Sequence, residues 1–113
     1  MLPEPQITRR PKIEQKRRGV RLNARVRVVL EWEDEEGTTL REQTFTRVVG
    51  PFGCLVVLPQ GLSVEQSLRV VNLVNEQANS GRVVWKGTEL KDGWELGIEL
   101  AKPSMDFWGL ELC

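Results

Sequence analysis

Arg17, Arg18 and Arg21, in the stretch KRRGVR, are the side chains of this sequence best equipped for recognition chemistry. A guanidinium is planar and always charged. It can donate two parallel hydrogen bonds to a phosphate or to the O6 and N7 edge of guanine, and it can stack on a base. The neighbouring residues add to the charge. Nine basic residues lie between Arg9 and Arg27 against Glu14 alone, and Glu31, Glu33, Asp34, Glu35 and Glu36 follow almost at once. A basic arm thus precedes an acidic hairpin tip. Such an arm also fits a solvated tail, or an electrostatic hook for any polyanion.

Residues for catalysis are scarce. The chain has no histidine, and Cys54 sits in the apolar run CLVVL, the setting of an inert buried thiol rather than a nucleophile. The acidic EDEE lacks the spaced oxygen ligands and turn glycine of a calcium loop. No Walker pattern or G-x-G-x-x-G before a helix is present, and GPFG is a turn. The expectation is a protein that is not an enzyme and holds no metal or cofactor.

Composition narrows the class further. A formal net charge of zero and a pI near 6.3 give the whole chain no long-range pull toward nucleic acid or anionic lipid. Cys54 and Cys113 are far apart in sequence, so neither a disulfide framework nor a metal knuckle is indicated, and a reducing cytoplasm is the expected setting. The N-terminus has no apolar signal region, and no run approaches the roughly 18 apolar residues of a membrane span.

These residues must be positioned by strands. Ala24, Val26, Val28, Leu30 and Trp32 alternate with Arg25, Arg27 and Glu31, which predicts a half-buried strand over 24–32, and Gly37 marks the turn after it. The threonine-rich stretch Thr38 to Val49 alternates imperfectly, which points to a bulge or a change of face. Further strands are predicted over Cys54 to Leu58, Ser67 to Leu73, Arg82 to Gly87 and Trp94 to Leu100, with NEQANSG as a polar turn. Ser104 after Pro103 suits the cap of a helical turn in the tail.

Six short strands without a long helical pattern argue for an antiparallel sheet closed into a small all-β barrel, since closure removes exposed edges. The barrel domain is expected over 16–113, and residues 1–15 are expected to be disordered. With three prolines and scattered charge, the first two dozen residues are expected to lack order in isolation. The four tryptophans are expected mostly in the core, with Trp85 and Trp94 meeting across one hairpin. Gly97 is expected to mark a bulge or a close approach.

RRGVR before a first strand, VVGPFG between the second and third, then RVVW and ELGIEL together resemble the PilZ domain over most of 16–100. That resemblance implies a six-stranded barrel in a bacterial signalling protein and cyclic di-GMP as a candidate regulatory ligand. The family's R-x-x-x-R motif falls on Arg17 and Arg21, with Arg18 as a further basic contact. Arg21 and Arg25 also fit the bare spacing. Its D/N-x-S-x-x-G motif aligns with Gly53 as the closing glycine, Gly50 at the serine and Val48 at the Asp or Asn. The expected ligand-binding set is therefore Arg17, Arg18, Arg21, Gly50 and Gly53, with affinity weakened by the two missing polar side chains. The alternative is an adaptor that binds no nucleotide and recognises a protein partner through an apolar face or the MDFWGLEL tail. Nonspecific nucleic-acid binding is a weaker third reading, opposed by the neutral charge.

Overall fold

The alternation of the first strand translates directly into burial. Val26, Val28, Leu30 and Trp32 point inward and are shielded from solvent, while Arg25, Arg27 and Glu33 are exposed. The computed structural model describes residues 21–109. Six strands follow in order: β1 (Arg27–Glu33), β2 (Thr39–Gly50), β3 (Gly53–Leu58), β4 (Ser67–Asn72), β5 (Ala78–Leu90) and β6 (Gly93–Leu100). A turn of 3-10 helix, η1 (Asp106–Trp108), comes after them. Every strand pairs antiparallel with its neighbours in the order β1-β2-β3-β6-β5-β4, and β1 returns to β4 to close an all-β barrel. Among the described residues no helix is long and apolar enough to cross a membrane. The disorder expected over 1–15 lies outside the described residues.

The barrel interior is filled from every strand. Leu30, Val49, Val56, Leu58, Val70, Val83 and Leu96 have no exposed surface. One end is closed by η1, whose Phe107 and Trp108 pack edge to face with ring centroids 4.9 Å apart. The buried amide of Asn72 is satisfied there, its Nδ2 donating to the Phe107 carbonyl at 2.8 Å and its Oδ1 accepting from the Val74 N–H at 2.9 Å. Ser104 Oγ accepts from the Phe107 N–H at 3.2 Å, in keeping with the helical turn expected near it.

Two strands begin well away from where they were expected, for reasons of pairing. The first strand begins at Arg27 rather than residue 24, because a side chain there takes a ladder partner's place. Thr46 Oγ1 accepts from the Val26 N–H at 2.8 Å and donates to the Ala24 carbonyl at 2.7 Å. The chain from Leu22 is nonetheless tied down, since Leu22 and Val49 exchange two backbone hydrogen bonds of 2.9 Å. The expected lack of order therefore does not extend to residues 21–24. β5 is likewise far longer than Arg82 to Gly87. Polar Ala78–Gly81, taken for a turn, ladders with β4 and leaves only Leu73 to Gln77 to reverse the chain.

Bulges reset which side chains face out. In β2 the register shifts between Thr46 and Val48, as the broken alternation suggested, so that Thr46 and Val49 point inward and Val48 outward. In β5 it shifts between Val83 and Trp85. Without that extra residue Trp85 would share the inward face of fully buried Val83; with it, Trp85 turns outward and is 49% exposed. The expected core role therefore holds for Trp32 and Trp108, and for Trp94 in part, but not for Trp85. Trp85 and Trp94 do not meet either: Trp85 stands opposite Gly97 and Trp94 opposite Glu89, with the Lys86 ammonium 4.5 Å from the Trp94 ring.

Candidate functional site: a groove on the outer barrel wall

Glycine shapes the outer wall where the ends of β2 and β3 meet β6 and β5. Gly53 and Gly97 lie on adjacent strands there, since Leu55 pairs with Gly97 and Gly53 with Glu99. Without side chains they leave the floor of a groove of about 580 Å³, a size in the roughly 300–1,000 Å³ range of small-ligand sites. Arg21, Val48 and Gly50 line it on one side and Trp85 on another.

Each wall has its own support. Arg21 is set at the rim by the Leu22–Val49 bridge, one residue from the doubly bonded pair. Trp85 lies on a bed of glycine: a Cβ on Gly97 would stand 3.2 Å from the Trp85 Cβ, and one on Gly87 would come within 2.3 Å of its six-membered ring. The close approach expected at Gly97 is thus an approach of Trp85. The turn Gly50 to Gly53 is gripped from behind by the tail, where Trp108 Nε1 donates to the Gly50 carbonyl at 2.8 Å and the Ser104 N–H to that of Pro51 at 2.7 Å. The Leu100 N–H donates to the Phe52 carbonyl at 2.8 Å.

The charge in the groove is mixed. Arg21 contributes a cation, and the Glu99 carboxylate accepts from Arg82 at 3.1 Å. Cys54 also borders the groove, but the residue is only 8% exposed, and burial pushes its thiol pKa up to about 12. It therefore stays a neutral thiol at physiological pH, in keeping with the apolar run in which the sequence places it.

Of the residues expected to bind ligand, Arg21, Gly50 and Gly53 line this one groove. Arg17 and Arg18 lie outside the described residues. Gly53 has a structural reason to be glycine as well, because a Cβ there would stand 1.9 Å from the Ile98 carbonyl oxygen across the β3–β6 ladder. Val48 lines the groove at the position where the family pattern has Asp or Asn, and it brings no hydrogen-bonding group. Arg25, the alternative motif partner, is elsewhere, with its guanidinium 4.1 Å from the centroid of the Phe45 ring. The residue that sequence reasoning missed is Trp85. Its alternation with Val83 pointed inward, and only glycines at 87 and 97 hinted at space beside it.

In a comparison with solved structures the fold is similar to that of the Bacillus subtilis inhibitor of motility, MotI/DgrA, with a TM-score of 0.56 and 22% sequence identity. The match covers 77% of this chain and 43% of that one, so the chain spans less than half the length of that protein. What the two share is the fold. The likeness supports the closed six-stranded barrel expected from the sequence. No family model matches the chain, and no curated protein matches it in sequence.

Proposed function

We propose that this chain is a non-catalytic, PilZ-like signalling module whose outer groove receives cyclic di-GMP. One observation carries the reading: Arg21, Gly50 and Gly53, drawn from both family motifs, converge on a single groove beside an exposed indole. Arg21, with Arg17 and Arg18 from the preceding arm, binds phosphate and the guanine edge. Trp85 offers a face on which a purine stacks, a contact worth about 1–3 kcal/mol per base. It offsets part of what the second motif lacks at Val48 and Gly50. Each missing charge-assisted hydrogen bond is worth about 1.5–3 kcal/mol, so a weak affinity is expected. The fold shared with an inhibitor of motility supports a regulator that passes its signal to a protein partner.

Calorimetric titration with cyclic di-GMP tests the proposal. Binding is expected for the unaltered chain, weakened roughly tenfold to a hundredfold by Arg21→Ala and roughly tenfold by Trp85→Ala. An absence of heat at millimolar nucleotide would leave the nucleotide-independent adaptor. Binding that ignores nucleotide identity and falls steeply with salt would point to nonspecific polyanion capture.

A further inference from the structure

The outer wall of the β1–β2 hairpin is divided by charge. At its open end Arg25, Arg27 and Arg47 gather around Phe45, with the Arg25 and Arg27 guanidiniums 4.1 and 5.9 Å from the ring centroid and Arg27 directly opposite Phe45 in the ladder. Arg47 sits in the β2 bulge beside them. None of the three has a carboxylate partner among the described residues, whereas Arg41, Arg69 and Arg82 are all ion-paired. At the closed end Glu33, Glu35 and Glu36 are exposed and have no cationic partner among the described residues. Asp34 is committed to the turn, its Oδ1 accepting from the Glu36 and Thr38 N–H groups at 2.9 Å.

The wall between these ends holds one carboxylate and two guanidiniums, all of them paired. Glu31 is clamped by Arg41 at 2.9 Å and Arg69 at 3.1 Å. Next to it Val29 pairs with Val71 of β4 and Gln43 of β2. Val29 stands outside the core cluster, on the outer side of β1, but is only 6% exposed, so the surface of this wall is made by the longer side chains around it. Arg27 and Glu33 are six residues apart, about 20 Å at a strand rise of about 3.3 Å. That exceeds the Debye length of about 10 Å at 0.1 M salt, so the two ends act as separate poles.

We infer that this wall is a self-complementary docking face for a second copy of the chain. A two-fold axis near the exposed Gln43, opposite Val29 in the ladder, sets two hairpins antiparallel. The arginine end of each then meets the acidic tip of the other, and both contacts form at once, as an isologous interface requires. Charge complementarity selects this occupant: a nucleic acid or anionic membrane broad enough to cover the wall would meet the acidic tip as well as the arginines, whereas a second copy offers each pole its opposite. The face is distinct from the groove, whose walls belong to the end of β2, β3, β5 and β6. Dimerisation and nucleotide binding can therefore fail independently.

Sedimentation equilibrium on the full chain tests the inference. A dimer is expected at low salt, with a dissociation constant that rises roughly tenfold or more between about 0.05 and 0.5 M salt. Arg25→Glu/Arg27→Glu and Glu33→Arg/Glu35→Arg should each be monomeric under the low-salt condition, because in each the poles that must meet no longer carry opposite net charge. Their mixture should form a heterodimer, and the chain carrying all four substitutions should dimerise again. Circular dichroism confirms that each variant is folded. A monomeric unaltered chain at low salt, folded double variants that still dimerise alone, or a mixture that stays monomeric would overturn the inference.

Discussion

Cys54 shows how one buried side chain carries a consequence for the whole titration curve. Its thiol is held neutral by burial, with a pKa raised from 9.0 to about 12. Below pH 9 the folded and unfolded thiols are both protonated, and the contribution to stability is full. Above it the unfolded chain releases the proton while the folded chain keeps it, so stability falls as pH rises from about 9 toward 12. Replacing the thiol by a similar apolar group removes this term. Thermal melts across that range should show a shallower alkaline decline for Cys54→Val than for the unaltered chain; parallel curves would mean that the thiol is not sealed from water. At the groove, Gly53 and Trp85 are opposite cases. The glycine is required by the carbonyl of Ile98 whatever the groove binds. The exposed indole fills no core position, so Trp85→Ala should alter ligand binding much more than stability.

Among the elements, the segment before β1 shows what sets a motif residue in place. Thr46 is 1% exposed, and its hydroxyl joins the Val26 N–H to the Ala24 carbonyl, at the bulge that also turns Val48 toward the groove. Thr46→Val keeps the shape and strands the buried Val26 N–H and the half-buried Ala24 carbonyl. A cost of about 1–3 kcal/mol is expected in the urea midpoint, with most of it recovered by Thr46→Ser. Because the same stitch leads to the Leu22–Val49 bridge, cyclic di-GMP affinity should fall with it. An unchanged midpoint would show that water replaces the hydroxyl. Strand positions were legible in the sequence for β1, β3, β4 and β6 because each has a clean apolar face or an apolar run between turns. The true length of β5 was not, since its first residues are polar and stay in the sheet only because β4 supplies hydrogen-bond partners.

For the molecule as a whole, the decisive feature is that the tail stoppers the barrel. Trp108 is 1% exposed, and its indole N–H reaches the Gly50 carbonyl, so the last described turn braces the groove from the inside. Trp108→Ala should cost about 3–5 kcal/mol in chemical denaturation. Trp108→Phe retains most of the packing, loses only the hydrogen bond and should cost about 1 kcal/mol. Equal losses for the two variants would place the stabilisation in the hydrogen bond rather than in the filled volume. Closure also explains the separation of roles on the outer surface. Pairing β3 with β6 builds the glycine-floored groove, while pairing β1 with β2 and β4 assembles the charged wall.

The sequence by itself determined an all-β chain of six strands, the inward sets of β1 and β6, the imperfect β2, and arginines fit for an anion. All of these follow from period-two alternation, turn residues and side-chain chemistry, which act over a few neighbouring residues. Only the tertiary structure decided that Arg21 meets Gly50 and Gly53, that Trp85 faces outward, and that arginines and carboxylates without partners among the described residues occupy opposite ends of one wall. The reason is physical: a bulge reverses every side chain beyond it, and strand order is chosen by contacts between residues distant in sequence. Neither the bulge in β5 nor the partner of each strand is encoded in the local pattern from which a strand is read.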